Sequence, residues 1–129
     1  MAYYISLDGD DIGNKIARGY LENDESKLSQ IIQELNSILT QIHNYLNSAG
    51  FEMIFFAADG IACKGKYLEF ENFAHFLKNI GRPTYTFSAG IGSDLQSSFF
   101  ALKYAKSVGK DTIALCEKGN LFKLIGSDA

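Results

Sequence analysis

The sequence predicts an α+β fold, an antiparallel sheet with helices on one face, from three observations. Strand-like and helix-like hydrophobic patterns interleave along the chain rather than segregating into blocks. Leu28, Ile31, Ile32, Leu35, Ile38, Leu39, Ile42 and Leu46 hold a helical apolar spacing over about five turns. Two apolar runs flank Asp59-Gly60, a dipeptide that signals a tight hairpin.

Taken in order, residues 2–7 read as a short strand, aromatic and apolar, that ends in an acidic turn. The polar LENDESK patch offers Asn23 or Asp24 as a helix N-cap, and Ser48-Ala49-Gly50 closes that helix with a glycine. Residues 51–56 and 61–63 form the hairpin strands. A second helix over 69–80 buries Phe70, Phe73, Leu77 and Ile80, and Gly81-Arg82-Pro83 stops it. TYTFSAGI, residues 84–91, is rich in β-branched and aromatic residues and reads as a strand. Gly92-Ser93-Asp94 leads into a third helix over 95–108, and 112–116 reads as an edge strand. The first six elements follow the βαββαβ order of the ferredoxin-like fold, with an additional C-terminal helix and edge strand. The tail beyond Glu117 carries no clear pattern.

Length and composition bound the function. A chain of 129 residues, 47% of them hydrophobic, is expected to form one domain over 1–129 with a sizeable core. A net charge of −3 supplies no field to attract DNA or RNA, so no nucleic-acid partner is expected. Cys63 and Cys116 make no disulfide framework, and no signal peptide or long apolar span is read, so a cytoplasmic protein without membrane contact is expected. His43 and His75 stand apart from any Cys/His cluster, which argues against zinc.

The stretch LDGDDIG puts Asp8, Asp10 and Asp11 within four positions. Carboxylates this close repel unless they are solvated or share a cation. In the predicted topology the strand carrying Asp8 and the hairpin carrying Asp59 finish at the same sheet edge, on neighbouring strands about 4.8 Å apart. Two converging carboxylates with a backbone carbonyl suit a hard divalent cation such as Mg²⁺ (or Mn²⁺). A third helix of about 15 residues climbs about 22 Å and returns Lys103, Lys106 and Lys110 to that edge. Lysines at a helix C-terminus also suit the helix dipole, so their position has two readings. Gly9 and Gly13 let backbone N–H groups approach phosphate oxygens. Carboxylates, a glycine turn and lysines together point to metal-assisted phosphoryl or nucleotidyl transfer.

LDGDDIG, AADG, TFSAGIG and ALKYAKSVGKD resemble the nucleotide-cyclase palm superfamily, which includes GGDEF diguanylate cyclases and the polymerase-like subunit of type III CRISPR complexes. The chain is most similar to the minimal CRISPR polymerase (mCpol) domain, over nearly its whole length. The resemblance implies an enzyme, a nucleotidyltransferase that condenses nucleoside triphosphates, ATP first among them, into a cyclic di- or oligonucleotide second messenger. It also implies release of pyrophosphate and a role in anti-phage defence, with a separate effector reading the product. By position, Asp8 and Asp59 match the metal-binding, catalytic aspartates and Gly9 the adjacent carbonyl. Asp11, Ile12 and Gly13 match the phosphate-binding turn, and Lys106 and Lys110 the phosphate-contacting lysines. Asp10 and Asp11 have no counterpart side-chain role and are read as supporting or solvated. Ser88 is a candidate contact to base or ribose, while Gly90 reads as a position where a helix packs close.

The hairpin departs from the pattern: it reads AADG rather than GGDD or GGDEF, so Gly60 stands where a second acid is expected. Two other readings therefore stand beside the synthase, a non-catalytic nucleotide and metal sensor and a nucleotide cyclohydrolase. Joining two triphosphates needs a donor facing an acceptor, which a chain this small meets as a homodimer or higher homo-oligomer.

Overall fold

The computed structural model describes residues 2–57, 60–118 and 121–126. Its elements run β1 (Tyr3–Gly9), α1 (Ile12–Leu21), α2 (Glu25–Ser48), β2 (Glu52–Phe56), β3 (Gly60–Gly65), α3 (Phe70–Ile80), β4 (Phe87–Gly92), α4 (Leu95–Ser107), β5 (Ile113–Glu117) and β6 (Leu121–Ile125). The strands form one sheet in the order β2-β3-β1-β4-β5-β6. β4 and β5 are parallel, joined through α4, and the other pairings are antiparallel.

The β2-β3-β1-β4 half is the ferredoxin-like arrangement expected from the sequence. Its core follows from strand alternation. Ile5, Leu7, Ile61, Cys63, Phe87, Ala89 and Ile91 face α2 and α3. Phe73 and Phe87 are almost wholly buried there, each worth about 1.5–3 kcal/mol. On α2, Asp24 accepts from Lys27 N–H at 3.0 Å as N-cap, and Ile31, Leu35, Leu39, Ile42 and Leu46 are buried. Gly50, at φ 88°, takes the left-handed turn past its end.

Three features differ from the sequence-based expectation. The helices do not all lie on one face: α4 packs on the opposite side of the sheet, where Ala101 and Ala105 meet Ala114. Small residues on that face of β4 make this possible. A Cβ at Gly90 would lie 2.1 Å from Leu102 N and 2.2 Å from Ser98 O, so only glycine lets the α4 backbone come this near. The serine Oγ atoms of Ser6 and Ser98 close the same contact at 2.8 Å. Secondly, β5 is not the edge, because β6 pairs beyond it from Leu121 to Ile125. Thirdly, α1 fills the segment between the acidic turn and α2.

Register then fixes the edge that matters. Across β1, Asp8 sits opposite Gly60 on β3 and Ser88 on β4, and Gly9 sits opposite Phe87. α4, capped by a reciprocal Asp94–Ser97 box, runs back along β4 and brings its last turn, with Lys106, over the end of β1.

Candidate functional site at the end of β1

Three acidic residues leave β1, and each meets a different environment. Asp8, the one acid within β1 itself, has a side chain 37% exposed. Asp10 turns inward. Its N–H donates to Thr86 O at 2.9 Å, and its side chain is buried to 4% exposure. Asp10 Oδ1 accepts from Ser88 Oγ at 2.8 Å and Lys106 Nζ at 3.1 Å. Asp10 Oδ2 accepts from Thr86 Oγ1 and from Asp111 N–H, both at 2.8 Å. Four donors thus meet the buried carboxylate, about one for each lone-pair direction, so none of its acceptor capacity is stranded.

Lys106 ties the two carboxylates together. Its Nζ lies 2.7 Å from Asp8 Oδ1 and donates to Gly9 O at 3.0 Å and to Asp10 Oδ1. Burial, the largest influence, works against the charged amine, yet the carboxylates of Asp8 and Asp10 outweigh it and raise its pKa. The like-charge repulsion expected of the acidic stretch is therefore offset by a shared ammonium.

Asp11 faces solvent and pairs with Lys110 Nζ at 2.6 Å. That hydrogen bond holds the Asp11 carboxyl below its ordinary pKa. Asp11, Lys110 and Asp111 take positive φ of 59°, 64° and 48°, left-handed conformations rare for residues other than glycine. Contacts hold the two turns in them: Lys110 grips Asp11, Asp10 takes the Asp111 N–H, and Arg82 pairs with the Asp111 carboxylate. Because the Asp11 side chain turns to Lys110, it does not cap α1, whose first-turn N–H groups point out of the helix end. Ile12 is buried beneath them, and a Cβ at Gly13 would meet nothing within 4 Å.

Of the sequence-predicted residues, the structure gathers Asp8, Gly9, Asp11, Ile12, Gly13, Lys106 and Lys110 at one sheet edge. Asp59 lies outside the described residues. Its neighbour Gly60 pairs with Asp8, and Gly60 O accepts from Ala57 N–H at 2.9 Å. Ser88 is corrected: it is fully buried with its hydroxyl on Asp10, so it positions that carboxylate rather than facing a base. Of the two readings of Asp10, the structure shows the supporting one: it is buried, not solvated, and holds Lys106 beside Asp8. Its partners Thr86, Ser88 and Asp111 were missed, although polar Ser6, Asp8 and Ser88 on one face of otherwise apolar strands are a legible signal.

Among the described residues, no group of three or more His, Cys, Asp or Glu side chains is placed to hold a metal ion. The fit to a hard cation rests on a smaller set. Asp8 Oδ1 is a buried oxygen that accepts no aligned hydrogen bond among the described residues, though Lys106 sits beside it, and Gly9 O lies at the same point. A carboxylate and a carbonyl oxygen are donors that Mg²⁺ accepts, with waters and phosphate oxygens completing its shell. A cavity of about 690 Å³ lined by Tyr45, Tyr67 and Phe76 lies instead at the far end of β3.

The family model of the minimal CRISPR polymerase domain matches residues 4–116. The chain belongs to this family. Comparison with curated proteins gives no match. Among solved structures, it is similar to the active GGEEF domain of a diguanylate cyclase from Vibrio cholerae, with TM-score 0.58, 14% identity, and coverage of 92% of this chain and 84% of that one. A diguanylate cyclase/phosphodiesterase from Caldicellulosiruptor saccharolyticus gives TM-score 0.58 at 15% identity, covering 95% and 79%. The GGDEF domain of DgcB from Caulobacter crescentus, in complex with c-di-GMP, gives 0.62 at 13%, covering 91% and 76%. The fold is thus that of a nucleotide-cyclase-like palm domain. Among the described residues, no helix is long and apolar enough to cross a membrane.

Proposed function

We propose that this domain is a Mg²⁺- or Mn²⁺-dependent nucleotidyltransferase that joins nucleoside triphosphates, ATP first among them, into a cyclic di- or oligonucleotide. The observation that carries this reading is the meeting of Asp8 Oδ1, Gly9 O, Lys106, Lys110 and the open N-terminus of α1 at one sheet edge. Asp8 and Gly9 O hold the cation, with Asp59 as the second carboxylate. When bound, the cation neutralises charge on the reacting phosphate and lowers the pKa of the attacking hydroxyl. The α1 N–H groups, from Ile12 and Gly13 onward, orient phosphate oxygens, supported by the helix dipole. Lys106 and Lys110 stabilise the charge that develops on the leaving pyrophosphate. Each new phosphodiester bond forms as one α–β phosphoanhydride bond breaks, so two triphosphates yield one cyclic dinucleotide and two pyrophosphates.

Two copies of the chain supply the donor and the acceptor ribose, and a separate effector protein reads the product in anti-phage defence, in keeping with the family's CRISPR connection. Gly60, in place of a second acid, favours one alternative, a domain that binds nucleotide and metal without turnover. Incubation with each of the four triphosphates and Mg²⁺ or Mn²⁺, followed by mass analysis, decides between them. A cyclic product that disappears in Asp8→Asn supports the synthase. Tight nucleotide binding with unchanged triphosphate supports the sensor, and a nucleotide that has gained water by opening of its base ring supports the cyclohydrolase.

A further inference from the structure

We propose that Lys106 is the site's own exchangeable counter-ion: its ammonium and a divalent cation compete for Asp8 Oδ1 and Gly9 O, and the displaced ammonium pivots on Asp10 toward incoming phosphate. This rests on the reading of Asp8 and Gly9 as cation donors. The contacts argue for competition. The ammonium lies 2.7 Å from Asp8 Oδ1 and donates to Gly9 O at 3.0 Å. A Mg²⁺ ion bonds such oxygens at about 2.0–2.1 Å, so it takes the lone pairs that the ammonium now faces. Three positive charges within a few ångströms repel strongly in a half-buried setting. Lys106 must give up both contacts when the cation enters.

It does not leave altogether. Asp10 is buried, and among the described residues Lys106 is the only cation within ion-pair distance of it. Removing that charge would strand an uncompensated carboxylate, which proteins avoid. Asp10 cannot follow the ammonium either, being fixed by Thr86, Ser88 and the Asp111 N–H. The carboxylate is a fixed pivot and the four-carbon lysine stem is the moving part. Metal entry thereby releases a positive charge next to the N-terminus of α1, where the phosphates are proposed to bind. Metal and triphosphate binding become cooperative through Lys106, and by linkage each raises the affinity of the other by the same factor.

Two measurements test this. In the first, Mn²⁺ binding is followed by the electron paramagnetic resonance of the free ion, with and without α,β-methylene-ATP. Lys106→Met should tighten binding of Mn²⁺ alone by about tenfold, a modest share of the repulsion removed. The nucleotide should tighten Mn²⁺ binding less in the variant than in the wild type. Equal or weaker Mn²⁺ binding by Lys106→Met overturns the exchange, while persistent Asp8-dependent turnover in the wild type would leave the synthase reading intact. Failure of wild type and variant to bind Mn²⁺ even with nucleotide overturns both.

The second measurement uses the wild type alone, so it does not depend on a variant folding. The Lys106 ¹³Cε resonance of lysine-labelled protein should shift as Mg²⁺ saturates, while that of Lys64, paired with Glu52, stays fixed. An unmoved Lys106 signal at saturation overturns the proposal.

Discussion

Ser88 Oγ donates to Asp10 Oδ1 at 2.8 Å, a buried hydrogen bond between residues 78 positions apart. It locks the acidic turn after β1 to the middle of the sheet, so the turn belongs to the core as much as to the surface. Asp10→Ala should therefore destabilise the fold by about 3–5 kcal/mol, the range for breaking one side of a buried ion pair. Asp8→Ala, whose side chain is 37% exposed, should cost only about 1 kcal/mol. Urea unfolding of both variants checks the contrast. Equal losses would mean that Asp10 does not anchor the turn.

The glycines on either side of the site should behave in opposite ways. Gly90→Ala forces a methyl into the α4 backbone, 2.1 Å from Leu102 N, and should cost about 3 kcal/mol or more. Gly13→Ala meets open space and replaces a helical glycine, so stability should hold or rise by up to about 1 kcal/mol. Thermal melts of the two variants settle this, and a destabilised Gly13→Ala would show that the turn is more crowded than it looks.

Alkaline pH should loosen the fold in a defined window. Burial pushes the Cys63 thiol from 9.0 up to about 12. Burial, with the hydrogen bond to Glu34, pushes Tyr85 from 10.0 up to about 12. Both are acids kept neutral by folding. Their contribution is fully present below the unfolded values of 9.0 and 10.0 and is lost as pH rises toward 12. Urea midpoints should fall from about pH 9 upward. Cys63→Ala should flatten the start of that fall and Tyr85→Phe the part above pH 10.0. A midpoint unchanged up to pH 11 would contradict the assignment.

How far the sequence alone reached depended on whether the signal was local. α2 was legible because its apolar spacing, N-cap and closing glycine all lie within it. α1 was not, because IGNKIARGYL holds two glycines and its N-cap Asp11 makes no side-chain cap. β6 was missed because a five-residue strand with Lys123 at its centre shows little pattern until β5 is beside it. The alternation Phe87, Ala89, Ile91 against Ser88, Gly90, Gly92 does announce two different faces, and the small one accepts α4. In the site, Asp8 and Lys106 could be brought together by strand direction and helix length. The role of Asp10 could not, because its partners Thr86, Ser88 and Asp111 lie 76, 78 and 101 residues away.

The two lysines should separate by phosphate length. Lys106→Ala should weaken triphosphate binding by about 1.5–3 kcal/mol, the range for hydrogen bonds to charged groups. Lys110→Ala should cost less, since that side chain is 42% exposed and its loss is partly screened by water. Both losses should shrink for a nucleoside monophosphate, which lacks the outer phosphates. Calorimetric titration with AMP and a non-reactive ATP analogue reads this directly. Equal losses for both ligands would point to a damaged fold instead of lost phosphate contacts.

Assembly should control turnover. One sheet edge orients one triphosphate, and in-line attack needs a second ribose hydroxyl about 3–3.5 Å from its α-phosphate, opposite the leaving pyrophosphate. A two-fold axis through the edge places that hydroxyl, and makes the same surface serve both protomers. Specific activity should then fall as the protein is diluted through its dimer dissociation constant. Mixing wild type with excess Asp8→Asn should suppress activity further, because a mixed dimer forms one phosphodiester bond but cannot close the ring. The mixture should accumulate a linear dinucleotide that keeps its 5′-triphosphate, visible by mass. Constant activity per protomer, at concentrations where sedimentation finds only monomer, would sink the shared site and leave the chemistry to a single chain.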